Sequence, residues 1–559
     1  MLQFAAMSAI VVLLGAMGWL ALGYRLYGRF LVAAVGIDPA RPTPAHTRRD
    51  GVDFVPAKNW LVLFGHHFSS ICGAGPIVGP ALAVSYWGWA PSLLWLLAGS
   101  VFMGAVADFT SLFVSVRSDG RSIPEIARPE ISARARLWFS VFIWIALVLV
   151  IAVFSIFAAR TFLDQPDTVV PSFALIPVAL LTGHLFYRTA MPNGVVTLIG
   201  VGLLALTLGM GVWFPVELPA SGPIAPQSIW IVLLLAYCFV ASVTPVQVLL
   251  QPRDYLAGFL LFGAIGLGVL SVLITAPTMQ GDAMHGFVSA DAQGGPLWPM
   301  LFVTIACGAI SGFHSLVSSG TTCKQLDSEV HACRIGYGGM LMEGLVGVLV
   351  VVCVGAALST SELRAHLASG GPIGAFSAGY GTLSEPLLGS YGKVFAVMAM
   401  NAFILTSLDS ATRIGRYLTQ ELLGTQEKYL TTGAVVTASA ALALSGHWTK
   451  LWPAFGTSNQ LIAALALLVS SCWLMHRGRG HLVTLVPAGI MIVTTLAAFA
   501  QQLRGALTRV DPATGAPAPD WFIAVVVGAL ILLSLIVFWE GIRTLRAGPR
   551  PHRAAPAAT

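Results

Sequence analysis

Two adjacent histidines inside an apolar stretch mark where this chain could do chemistry. His66 and His67 lie in the run WLVLFGHHFSSICGAGPIVGPALA, residues 60–83. An ionisable group in a membrane-length apolar segment is costly unless paired, so it is treated first as functional. Three roles suit these imidazoles: relaying protons, contacting a substrate carboxylate, or ligating haem iron. Adjacent side chains on a helix point about 100° apart, so the pair does not face one metal from the same side. Histidines that simply hydrogen-bond between packed helices are the plain alternative. His184 and His314 also fall in apolar stretches.

His314 belongs to the run CGAISGFHSLVSSGTT, which closes the stretch 297–320. Read as one helix, it sets Ser311, Ser315, Ser319 and Thr322 within an arc of roughly 80°, with His314 and Ser318 flanking them. Such a stripe suits close helix packing or a cation or substrate site. Three acids lie in or beside apolar stretches: Asp108, Glu343 and Asp409. Asp108 is a candidate for gating or proton transfer, whereas Glu343 and Asp409 are expected to be structural. Arg413 follows Asp409 by one helical turn, a spacing that predicts an internal ion pair. The loop TTCKQLDSEVHACR offers Cys323, His331 and Cys333, donors that zinc accepts, in a spacing that matches no standard motif.

The elements that must position these groups are membrane spans. Of 559 residues, 56% are hydrophobic and only 10% charged, and the mean hydropathy is +0.82. That composition predicts an all-α polytopic membrane protein with about fifteen spans, from 4–24 to 521–543. The net charge of +6 does not indicate nucleic acid. Most of the Lys and Arg residues, including Arg25, Arg29, Arg41, Arg48, Arg49 and Lys58, fall on one side if the N-terminus is outside. The positive-inside rule therefore predicts N-out, C-in. The first apolar stretch lacks a basic leader and is expected to be an uncleaved anchor. Five cysteines (Cys72, Cys238, Cys307, Cys353, Cys472) fall in spans and are expected to pack as small hydrophobes. A disulfide between Cys323 and Cys333 is not expected in a reducing cytosol.

The span 60–83 is interrupted. Gly73-Ala74-Gly75-Pro76 lies in its middle, and proline and glycine release backbone groups that lipid does not satisfy. Discontinuous helices of this kind build midplane sites in secondary transporters. Five spans later, 228–250 carries Ser242-Val243-Thr244-Pro245, a second break signal. Five is odd, so the second quintet is inverted. The expected fold is a LeuT/APC-like five-plus-five inverted repeat with accessory helices. Its divisions are 1–59 (accessory helix and basic loop), 60–227 (first repeat), 228–418 (second repeat) and 419–559 (accessory helices and basic tail). The accessory spans are open to packing on lipid, bracing the core or a homo-oligomeric contact.

The strings PAKNWLVLFGHHFSSICGAGPIVGPALA, VASVTPVQVLLQPRDYL, ACGAISGFHSLVSSGTT, IGYGGMLMEG and MNAFILTSLDSATRIGRY resemble the carbon starvation protein A family. The resemblance covers residues 50 to 475 and implies uptake of peptides, with some relatives importing pyruvate by proton symport. It also implies that the two breaks and the His314–Ser319 stripe form the central site. His66, His67, Gly73, Ala74, Gly75, Pro76, Ser242, Thr244, Pro245, Gln247 and His314 are then the expected substrate contacts. Cys72, Gly73, Asp108, Ser315, Ser318 and Ser319 are the expected ion-coupling groups, for Na⁺ on hard oxygens or for H⁺ through His314. Cys323, His331 and Cys333 are not part of the family pattern, so zinc there rests on their chemistry alone. No phosphate-binding loop, dinucleotide fingerprint or soluble catalytic domain is recognised, which argues against ATP-driven transport, and a secondary transporter rather than an enzyme is expected. A multi-pass protein of the bacterial inner membrane is expected, importing peptides or small carboxylates with H⁺ or Na⁺. The alternatives are a membrane redox protein with haem or metal on its histidines, and a transporter-like nutrient sensor.

Overall fold

A computed structural model describes residues 7–219, 224–291, 293–446, 448–510 and 516–548, without the side chains of 448–453. The first residues of the span expected at 4–24, and the basic tail beyond 548, lie outside them. The described chain is helical, with strand pairing limited to isolated bridges. Twelve helical segments are long and apolar enough to cross a membrane, or thirteen counting one bent pair as a span. This is a multi-pass membrane protein.

The chain begins with α1 (Ala9–Val35). The bent pair is α2 (Trp60–Ile71) and α3 (Gly75–Trp87). Asn59 starts α2 by accepting from the Val62 N–H at 2.9 Å. Cys72 leaves the helical region at φ −79°, ψ 74°, and Pro76 opens α3, where its missing N–H costs nothing. The axes bend by 45°. The interruption at 73–76 is therefore a true break.

Next come α4 (Trp89–Arg117), which contains a π segment at Ser100–Gly104, and α5 (Ala133–Asp164). They are followed by α6 (Val169–Arg188), α7 (Asn193–Trp213), α8 (Pro226–Val243) and α9 (Leu250–Thr275). The second break expected at Ser242–Pro245 is not a midspan interruption. It is the turn between α8 and α9. Thr244 is extended (ψ 141°), as a residue before proline prefers, and the apolar VQVLL that follows leads into the next helix.

The second interruption lies elsewhere, between α10 (Leu297–Thr304) and α11 (Gly312–Gly320). Residues 305–311 do not continue the helix, so the hydroxyl stripe expected along one helix survives only from Ser315 to Ser319. Asn459 caps α11 from another helix, accepting the Phe313 N–H at 2.8 Å.

A second π segment, Cys333–Tyr337, leads into α12 (Gly338–Ala357). An element not anticipated follows, α13 (Thr360–Leu388), kinked where Gly371 adopts φ 65°. The remaining helices are α14 (Gly392–Leu423), α15 (Lys428–Leu444), α16 (Trp448–His476), α17 (Leu482–Leu507) and α18 (Trp521–Ala547).

Packing places α5, α12, α14 and α16 inside, while α1, α7 and α18 keep a broad apolar face outward. In a membrane those faces meet lipid. The interrupted pairs cross at the centre, α3 against α12 and α11 against α4, with α2 on α9 and α5 on α14. Where α3 meets the end of α10, a Cβ on Gly79 would lie 2.5 Å from the Thr304 carbonyl oxygen. Only glycine permits that approach.

Candidate functional site

The first break carries His66 and His67 to the centre and turns them toward different neighbours. His67 places Nε2 3.1 Å from Asp108 Oδ2 on α4, and Nδ1 2.9 Å from the Thr322 hydroxyl beyond α11. The other Asp108 oxygen accepts from Ser318 Oγ. His314, one turn before Ser318, sets Nδ1 3.7 Å from Asp108 Oδ2 and Nε2 2.7 Å from Glu343 Oε2 on α12. Cys307, in the second break, has Sγ 3.7 Å from the same Nε2. His67, Asp108, His314 and Glu343 are at most 1% exposed. Four helices thus contribute one line of ionisable groups, hydrogen-bonded from His67 to Asp108 and at ion-pair distance from there to His314 and Glu343. Each π segment adds a residue to its turn, which re-phases the helix face carrying Asp108 or Glu343. Such chains of carboxylates and imidazoles inside a membrane are suited to moving protons.

His66 belongs to a second cluster. Its Nδ1 is 2.6 Å from Asp254 on α9, and its Nε2 is 3.0 Å from Gln325 Nε2. Neither ring nitrogen of His66 or His67 is left without a protein partner. The last carbonyls of α2 are engaged too: Ser69 O accepts from Thr406 at 2.6 Å and Ser70 O from Ser407 at 2.8 Å, both on α14. Beside them Arg253 pairs with Asp409, which also accepts from Tyr237 at 2.8 Å. The ion pair expected between Asp409 and Arg413 does not form. Arg413 turns instead to Asp53 and to the Ala241 and Thr244 carbonyls.

A cavity of about 80 Å³ lies between the two breaks, lined by Gly75, Thr304, Cys307 and Asn459 among others. It shares Leu82, Tyr86 and Gln293 with a larger cavity of about 1070 Å³. The walls of the larger one include Arg160, Arg364 and Lys393, opposed by Asp164 and Asp291. The opposite end of the bundle is shut. There Asp53, in the loop before α2, accepts from Arg413 at 2.9 Å and from Arg416 at 3.1 and 3.2 Å. Lys324 lies 3.5 Å over the Tyr417 ring nearby. Burial alone would raise the Asp53 carboxyl, but Arg416, Arg413 and Lys324 outweigh it and hold it down at about 2.

Of the expected site residues, the structure gathers His67, Cys72, Gly73, Ala74, Gly75, Pro76, Asp108, His314 and Ser318 around the breaks. Ser315 and Ser319 share α11 with them; Ser319 bonds back to the Ser315 carbonyl at 2.8 Å. Ser242, Thr244, Pro245 and Gln247 lie away from this centre, at the closed end, where Gln247 donates to the Gly51 carbonyl at 2.8 Å. The zinc trio is not assembled. Cys323 is buried against the Ser319 carbonyl, His331 bonds Asp327 at 2.9 Å, and Cys333 faces Gly28 on α1. Those three point to different neighbours because 3-10 and π turns separate them. Among the described residues, one set of three ligating atoms lies within 4.8 Å: Cys307, His314 and Glu343. Sequence reasoning missed Asp53, Asp254, Gln325 and Asn459. For Asn459 a signal existed, the polar run Thr457–Gln460 inside an apolar stretch.

A family profile described as Carbon starvation protein CstA matches residues 8–365 and 356–498. The peptide transporter CstA of Escherichia coli K12 is 35% identical over 560 residues, 85% of this chain and 78% of that protein. The peptide transporter CstA of Campylobacter jejuni is 33% identical over 572 residues, 88% of this chain and 80% of that one. The pyruvate/proton symporter BtsT of Escherichia coli K12 is 31% identical over 601 residues, 89% and 82% respectively. Among solved structures, a manganese transporter of Eremococcus coleocola aligns with TM-score 0.55 at 11% identity, covering 89% of this chain and 99% of that one. At that identity the likeness speaks to fold alone. Profile and relatives agree, and the chain belongs to the carbon starvation protein CstA family.

Proposed function

We propose that this protein is a secondary active transporter of the bacterial inner membrane that imports peptides or small carboxylates with protons. The observation that carries the coupling is the buried line His67–Asp108–His314–Glu343, which joins the two helix breaks and ends beside the cavity between them. Relatives named peptide transporter and pyruvate/proton symporter support both halves of the reading. Both substrate classes carry a carboxylate, and the Arg160, Arg364 and Lys393 walls of the outer cavity favour one entering. Protons are favoured over Na⁺ because the groups that meet between the breaks are imidazoles and carboxylates, which exchange protons.

The architecture we infer is an inverted repeat, divided differently from the sequence expectation. One half is α2–α5 with α8 and α9; the other is α10–α12 with α14–α16. Each half opens with a broken helix and continues with a helix bearing a π segment. The halves exchange contacts reciprocally, α3 on α12 as α11 on α4, and α8 on α15. The helices α6 and α7 are then an insertion, with α1, α17 and α18 accessory. With the N-terminus outside, the large cavity faces out and the Asp53 latch faces the cytosol, an outward-open arrangement.

Proteoliposomes test the reading. Uptake of labelled dipeptide or pyruvate should follow an imposed pH gradient and disappear in Glu343→Gln. Uptake driven by Na⁺ and indifferent to pH would overturn the proton assignment; no uptake with either gradient would overturn the transport reading.

A further inference from the structure

Cys307 Sγ, His314 Nε2 and a Glu343 oxygen converge within 4.8 Å in the membrane interior, one from the second break and two from separate helices. We propose that this triad is a binding site for a borderline divalent metal ion of the Zn²⁺ class, one per chain, loaded from the outer cavity. It is distinct from the Cys323, His331 and Cys333 set, which the fold disperses.

Glu343 argues for a ligand. It is fully buried, and neither carboxylate oxygen has a hydrogen bond of good geometry; the 2.7 Å approach of His314 Nε2 is a charge contact off the hydrogen-bonding direction. A buried carboxylate in that position needs a cation or a proton beside it. The donor set selects the cation. One thiolate, one imidazole and one carboxylate are the ligands zinc takes, whereas Mg²⁺, Ca²⁺ and Mn²⁺ favour oxygen. Charge also closes. A divalent ion against a thiolate and a carboxylate leaves a neutral site, which suits a low-dielectric interior. On binding, the thiol proton and the one proton carried by the His314–Glu343 pair leave, and three metal–donor bonds form. Three protein ligands leave a fourth position open, and the cavity beside Cys307 has room for water there. Cys307 lines that cavity, so an entering ion meets sulfur first.

The consequence for transport rests on the function proposed above: an ion on His314 and Glu343 removes the groups the coupled proton needs. External Zn²⁺ should therefore arrest uptake, and a chelator should restore it.

The purified full-length protein in detergent provides the test, with Cd²⁺ as probe because its thiolate complex absorbs in the ultraviolet. One Cd²⁺ per chain should bind with that absorption, Zn²⁺ should compete and Mn²⁺ should not. Cys307→Ser should remove the absorption, Glu343→Gln should weaken binding at least about tenfold, and Cys353→Ser should change neither. Size-exclusion profiles identify any variant that fails to fold, and the remaining variants then decide. No thiolate–Cd absorption in the parent, its persistence in Cys307→Ser, or its loss in Cys72→Ser alone would overturn the site. Metal-free protein that never transports would defeat the functional reading while leaving the binding result intact.

Discussion

Replacing Asp53 by asparagine probes the closed end of the bundle. One carboxylate there holds Arg413 and Arg416, both nearly or fully buried. Its carboxyl sits at about 2 against an ordinary 3.8, a depression of just under two units, which is worth about 2 kcal/mol. Because the folded value is the lower one, that stability is complete above the ordinary carboxylate range. It drains away as pH falls from about 4 toward 2. Asp53→Asn should therefore lower the unfolding midpoint in detergent at pH 7 by an amount corresponding to about 2 kcal/mol. The gap to the parent should narrow through the acid range as the parent protonates. The loop before α2 would also loosen over Cys323, now fully buried, so a maleimide should label Cys323 faster, read by peptide mass spectrometry. An unchanged midpoint at pH 7, or a gap that stays constant down to pH 2.5, would refute the argument.

Three further outcomes follow from packing and pairing. Asp409→Asn should cost about 3–5 kcal/mol by stranding the buried Arg253, and adding Arg253→Met should recover much of the loss in thermal unfolding. Asn459→Ala should cost about 1 kcal/mol through the lost α11 cap and reduce gradient-driven uptake, measured in liposomes. Gly79→Val should destabilise by about 1–3 kcal/mol, because its Cβ meets the Thr304 carbonyl; a midpoint equal to the parent would show that the crossing is loose.

The sequence displayed some of this and concealed the rest for identifiable reasons. The first break is legible because Gly73–Pro76 combines permissive and helix-opening residues. The second is not, since residues 305–311 contain no proline and their bend is held by Asn459, far away in sequence. Pro245 misled for the opposite reason: it ends a helix at the bundle edge, and the apolar VQVLL after it looks like a continuation of that span. His67, Asp108, His314 and Ser318 were recognisable as chemistry-bearing groups in spans. Glu343 looked structural because nothing local marks it; its partner is on α11. Asp409 and Arg413 have helical spacing, yet each finds a better partner on another element, Arg253 and Asp53. Local periodicity supplies neighbours along a helix and is silent about those across it.

The crossing of the two broken helices has a mechanical consequence. At Gly79 and Thr304, main chain lies directly on main chain, and nearby Gly75 makes room for the small side chain of Cys307. A joint with one small side chain interposed has few rotamers to rearrange when it turns, and no large knobs that must climb out of holes. It can rock as a hinge pin does, at little cost in packing, while the groups bolted to either side swing through larger arcs. Smallness at these few positions is therefore what lets a tightly packed interior move at all.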